Sequence, residues 1–115
     1  MVISDAIAGK VITTFPIGDR CDGVAFDNVL KRAYSSNGDG TITVVSEGGK
    51  DNFSVLENVP TQTGARTITV NSKTHHLYLP SAEFDPAPES TAENLHPRPQ
   101  IKPGTFVILD VEYVK

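Results

Sequence analysis

The stretch CDGVAFDNVLKRAYSS, residues 21–36, lies without a gap over ARTITVNSKTHHLYLP, residues 65–80. Cys21 falls on Ala65, an offset of 44, which matches Val24 with Ile68, Phe26 with Val70 and Tyr34 with Tyr78. The same offset carries Val11 onto Val55 and Pro16 onto Pro60. Each copy alternates apolar with polar residues and is rich in β-branched and aromatic types, so the repeated unit is built of strands. Beyond Tyr78 the match slips: TITVV from Thr41 meets TFVIL from Thr105 only at an offset of 64. The surplus is the stretch PSAEFDPAPESTAENLHPRPQIKPG, residues 80–104, which holds six of the eight prolines. In the first copy Asn37-Gly38-Asp39-Gly40 closes the same hairpin tightly with residues that tolerate positive φ. The proline-rich stretch therefore reads as an insertion into a hairpin, residues 81–103, and not as a linker or a tail.

Eight short runs read as strands: residues 10–17, 22–27, 31–36, 41–46, 52–59, 66–70, 75–79 and 105–111. No helical face is found. A repeat of about 40–45 residues with four strands per unit is the signature of β-propeller blades, whose sheets bury both faces against their neighbours. The expected fold is all-β, with two four-stranded antiparallel sheets that form part of a larger ring or of a ring-forming oligomer. Residues 1–60 would hold an outer strand and the first blade, and residues 61–115 the second blade. Alternation puts Val24 and Phe26 on one buried face, and the repeat puts Tyr34 and Tyr78 at equivalent positions. An outer strand at residues 10–17 stands where the last blade lacks one, so it is expected to pair with residues 105–111 of a neighbouring copy. A compact sandwich of the two sheets is the alternative.

Ten basic and fourteen acidic residues give a net charge of −4, with no run of Lys or Arg to follow a phosphate backbone, which argues against nucleic acid as a partner. No stretch nears the roughly 18 apolar residues of a membrane span, so no membrane is expected, and the N-terminus lacks the features of a signal peptide. The single Cys21 excludes an internal disulfide and a cysteine-based zinc site and reads as a small, half-buried residue.

Few residues speak for chemistry. His75 and His76 are neighbours on an expected strand, where adjacent side chains point to opposite faces and do not chelate one ion. The Asn37-Gly38-Asp39-Gly40 turn falls short of a calcium loop in ligand number. Motifs for a serine elbow, a zinc helix or a phosphate loop are missing from the sequence. No catalytic residue, metal site or cofactor is assigned, and the reading leans away from an enzyme. In a propeller, the loops from outer to inner strand and from second to third strand share one face. That face would gather Asp19, Arg20, Asp22 and Arg66 with Glu83, Phe84, Asp85, His96 and Arg98 of the insertion as a binding surface. Asp22 and Arg66 stand at the starts of the two inner strands, a pair suited to a salt link.

The motifs GKVITTFPIG (residues 9–18), GVAF (residues 23–26), KRAYSSN (residues 31–37) and GTITVV (residues 40–45) follow one another in order. This succession resembles the YVTN-repeat β-propellers of bacteria, and in particular the C-terminal blades of exported, seven-bladed members with a proline-rich insertion in the last blade. The resemblance implies a propeller scaffold and a periplasmic or secreted setting, and it implies no single activity. The function expected is a non-catalytic binding or scaffold module that takes a protein, peptide or glycan on the inserted face. Its partners would be identical copies or the remaining blades of a longer propeller. The alternatives are a hydrolytic, lactonase-like propeller enzyme and a purely structural self-assembling module.

Overall fold

A computed structural model describes residues 1–112; Tyr113, Val114 and Lys115, the end of the expected second blade, lie outside the described residues. Among the described residues nine strands form three antiparallel sheets. β1 (Val2–Asp5) and β2 (Lys10–Thr14) make a hairpin. β3 (Cys21–Asp27), β4 (Arg32–Asn37), β5 (Thr41–Gly49) and β6 (Asn52–Pro60) make a four-stranded meander. β7 (Thr69–Val70), β8 (Leu77–Ser81) and β9 (Val107–Val111) make a three-stranded one. The second sheet thus has three strands within the described residues, where four were expected for a full blade.

The ladders carry the repeat at residue level. Tyr34 stands opposite Ala25, and Tyr78 opposite Thr69, which reproduces the offset of 44. The third strands correct the sequence alignment: Tyr34 faces Val44 whereas Tyr78 faces Asp110, an offset of 66 and not 64. A slip of two residues leaves every side chain on the same face, so apolar alternation cannot detect it. The turns repeat as well. Asp27 Oδ1 accepts from the N–H groups of Val29 and Leu30, and Asn71 Oδ1 from those of Lys73 and Thr74. Each turn ends on a left-handed residue, Lys31 (φ 56°) and His75 (φ 65°). That places His75 in the turn, ahead of the strand to which the sequence assigned it.

The core lies between the sheets. Tyr34, Ile42 and Val44 of the first sheet meet Leu77 and Leu79 of the second, closed by Ala65, with Val70, Leu109 and Val111 packed alongside. β7 runs beside β3, where a side chain at Gly23 would stand 3.2 Å from the Ile68 nitrogen. At the far end His75 Nδ1 lies 2.5 Å from Oδ2 of the fully buried Asp27. Burial opposes ionisation of Asp27, but the bonds from Leu30, His75 and Val29 outweigh it and hold the carboxyl below its usual value. His76 is occupied separately, with Nδ1 2.7 Å from Asp110 Oδ1.

The contact between the sheets is head to tail. The Tyr34 face of the first sheet is buried, whereas the Tyr78 face of the second points away from it and leaves Ile108 55% exposed. On the opposite side Val24 and Phe26 do share a face, but it is open: they are 66% and 49% exposed. The same face is covered farther out, where Ser35, Thr43 and Val45 are buried, and the β1–β2 hairpin shares a recess with Phe53 and the β5–β6 turn. β1 also pairs with β2 along Ile3↔Thr13 and Ser4↔Val11, so within the chain β2 takes its partner from the N-terminus and not from β9. Cys21, expected half-buried, is exposed because it opens the free edge strand β3. The radius of gyration is 16.6 Å, against roughly 13 Å for a compact domain of this length.

Candidate functional site

The β4–β5 turn and the connections β2–β3 and β6–β7 meet at one end of the two sheets. Gly38 N–H donates to the Arg20 carbonyl (3.0 Å), Thr61 N–H to the Gly40 carbonyl (2.7 Å) and Gly64 N–H to the Gly38 carbonyl (2.9 Å). The last two hold Thr61 and Gly64 against the β4–β5 turn, and β7 beyond them has two residues where five were expected. Asp39 fixes the turn: its carboxylate accepts from the Thr41 hydroxyl (2.7 Å) and the Asp19 N–H (2.9 Å). Those two bonds, in that order, lead the effects that hold the Asp39 carboxyl below its usual value, with a smaller contribution from the charge of Arg20.

The insertion begins as an extension of the β8–β9 hairpin. Phe84 bridges Ile101, Asp85 N–H donates to the Gln100 carbonyl (2.8 Å) and Lys102 N–H to the Glu83 carbonyl (2.8 Å). Residues 86–99 hold no strand; their internal ties are short, such as Ser90 to the Leu95 carbonyl (2.9 Å). The base of this loop, the β4–β5 turn and the β6–β7 connection enclose a cavity of ≈ 580 Å³. Arg20, Arg66 and Arg98 line it together with Phe84, Pro99 and Ile101.

Two glycines make the approach possible. A β-carbon at Gly38 would stand 3.0 Å from both Arg20 Cβ and Arg66 Cδ, and one at Gly64 would stand 2.8 Å from Phe84 Cε2. The arginine stems thus flank Gly38, and the Phe84 ring lies on Gly64. Arg20 is anchored by a bond from Nη2 to the Gly38 carbonyl (3.0 Å). Among the described residues none of the three arginines is in an ion pair.

Of the nine residues expected on the binding face, the cavity gathers four: Arg20, Arg66, Phe84 and Arg98. Asp19, Glu83, Asp85 and His96 do not line it; their main-chain N–H groups bond locally, to Asp39 Oδ2, Thr105 Oγ1, the Gln100 carbonyl and Asn94 Oδ1. The expected Asp22–Arg66 salt link is replaced: Asp22 Oδ2 accepts from the Thr67 hydroxyl at 3.0 Å, which leaves Arg66 to the cavity. Gly38, Thr63, Gly64, Pro99 and Ile101 were not foreseen. The repeat carries a signal for one of them, since Gly64 is the counterpart of Arg20 at the offset of 44 and both have positive φ. No group of three or more His, Cys, Asp or Glu side chains among the described residues could hold a metal ion. Among the described residues no helix is long and apolar enough to cross a membrane. In comparisons with known proteins the chain matches no family model, no curated protein and no solved structure.

Proposed function

We propose that the chain is a non-catalytic binding module made of β-propeller blades of the YVTN-like kind, and that a protein, peptide or glycan binds on the face that carries the insertion. The observation that carries this reading is where the cavity sits. Loops of both sheets and the insertion build it, while the strands beneath complete a core without it. Binding residues on loops over a rigid scaffold can vary without cost to the fold.

Propeller blades account for three further facts. The sheets pack head to tail, their inner strands run side by side, and each outer face keeps exposed apolar residues that a further blade would cover. Those blades would belong to the same polypeptide or to identical copies of the chain.

The test is a variant in which residues 86–99 are replaced by Asn-Gly, a two-residue turn that joins Asp85 to Gln100. Peptide and glycan arrays are probed with the full chain and with this variant. The reading expects the variant to keep the circular-dichroism spectrum and thermal midpoint of the parent while its array binding is lost. Array binding that persists in the variant, or that is missing in the full chain, overturns it.

A further inference from the structure

The cavity has a chemical character of its own. Three guanidinium groups line it with no acidic side chain, in a chain whose net charge is −4. Like charges gathered in one recess repel, and nothing among the described residues neutralises them by an ion pair. The guanidinium fork matches carboxylate and phosphate oxygens, which it binds through paired, charge-assisted hydrogen bonds.

Beside the arginines lies an apolar wall. Phe84 is 41% exposed and Ile101 59%, although both are drawn into the recess by the bridge at the base of the insertion. The ring is held on Gly64, so its position is set before any ligand arrives. The volume, ≈ 580 Å³, falls among those of small-molecule sites. Resting on the reading of this face as a binding site, we propose that it takes an organic anion. Carboxylate or phosphate oxygens would be held by Arg20, Arg66 and Arg98, with the ring or apolar body of the ligand on Phe84, Pro99 and Ile101.

The experiment is a calorimetric titration of the full chain with four probes: phenyl phosphate, hippurate, inorganic phosphate and benzyl alcohol. Phenyl phosphate or hippurate should bind best, inorganic phosphate more weakly because it lacks a body, and benzyl alcohol least. The stronger of the first two tells a phosphate-bearing ligand from a carboxylate-bearing one, and either result supports the proposal. Arg66→Gln and Arg98→Gln should each weaken the best probe roughly tenfold or more. Lys50→Gln, at a surface cation outside the cavity, should leave it unchanged. Arg98 is in an exposed loop, so its variant reports on binding even if Arg66→Gln folds poorly.

The proposal is overturned if benzyl alcohol binds as tightly as the anions or if Lys50→Gln costs as much as Arg98→Gln. It also falls if no anion binds under conditions that would reveal a Kd of about 1 mM. In that last case, loop-dependent array binding of neutral glycans would leave the binding-face reading standing and remove only the anion. Loss of both would remove the two together.

Discussion

Leu79→Ala tests the joint between the sheets. Leu79 is fully buried in β8 and sits in the cluster with Tyr34, Ile42, Val44, Ala65 and Leu77, so its truncation leaves a cavity that neither sheet can easily collapse around. Such changes cost about 2–5 kcal/mol. With a denaturant slope of about 2 kcal/mol/M, a loss of about 3 kcal/mol lowers the urea midpoint by about 1.5 M. The paired substitution is Ile108→Ala on the outward face of β9. Ile108 is 55% exposed, and full burial of such a side chain stabilises by about 1.5–3 kcal/mol, so less than half of that, about 1 kcal/mol, is at stake. Both midpoints are measured by circular dichroism in dilute protein and again in concentrated protein. If further copies cover the outer face, the Ile108→Ala loss grows with concentration toward that of Leu79→Ala. Equal losses in dilute protein, or a Leu79→Ala shift below about 0.5 M, would refute an inter-sheet core centred on Leu79.

Acid stability should depend on Asp27. Its folded-state pKa is lowered relative to the unfolded chain, so its contribution is present above the usual carboxylate range and is lost as pH falls through that range and below it. Urea midpoints between neutral and acid pH should therefore fall more steeply for the parent than for Asp27→Asn, and parallel curves would sink the idea. At Gly64, alanine meets both a left-handed φ of 88° and the Phe84 ring at 2.8 Å. We expect Gly64→Ala to cost about 1–2 kcal/mol or more, a drop of several degrees in thermal midpoint. An unchanged midpoint would mean that neither the left-handed φ nor the Phe84 contact holds at residue 64.

The repeat was legible in the sequence because strand alternation returns after 44 residues, so that Tyr34 and Tyr78 share a register; that Asp27 and Asn71 make the same turn at this offset shows only in the structure. The third strand was misplaced by two residues because a two-residue slip is silent in a period of two. Val24 and Phe26 were put on the same face correctly and on a buried face wrongly, since alternation says which residues share a side and not what lies opposite. Among the site residues, Arg20 and Arg66 could be placed on one end from topology. Phe84 and Arg98 were placed with them through the insertion, but which insertion residues reach the cavity could not be read, because residues 86–99 have no periodicity and their base is set by the bridge of Phe84 to Ile101.

The two copies have diverged at the position that matters most for the cavity. Gly64 and Arg20 are counterparts, and both adopt the left-handed region, with φ of 88° and 59°. In the second copy glycine meets this geometry without a side chain and makes room for Phe84. In the first copy arginine accepts the strain, about 1–2 kcal/mol for a residue with a β-carbon, and offsets part of it through the bond from Nη2 to the Gly38 carbonyl. At a position with ordinary φ, glycine is the more destabilising replacement, by about 0.5–1 kcal/mol relative to alanine. Here the order should invert: Arg20→Ala keeps the strain and loses the bond, whereas Arg20→Gly loses the bond and sheds the strain. We therefore expect Arg20→Gly to be the more stable of the two by roughly 0.5–1 kcal/mol in urea titration, while both lose anion affinity alike. If Arg20→Ala proves as stable as Arg20→Gly or more so, residue 20 is not held in the left-handed region. The cavity would then not owe its first arginine to a strained turn.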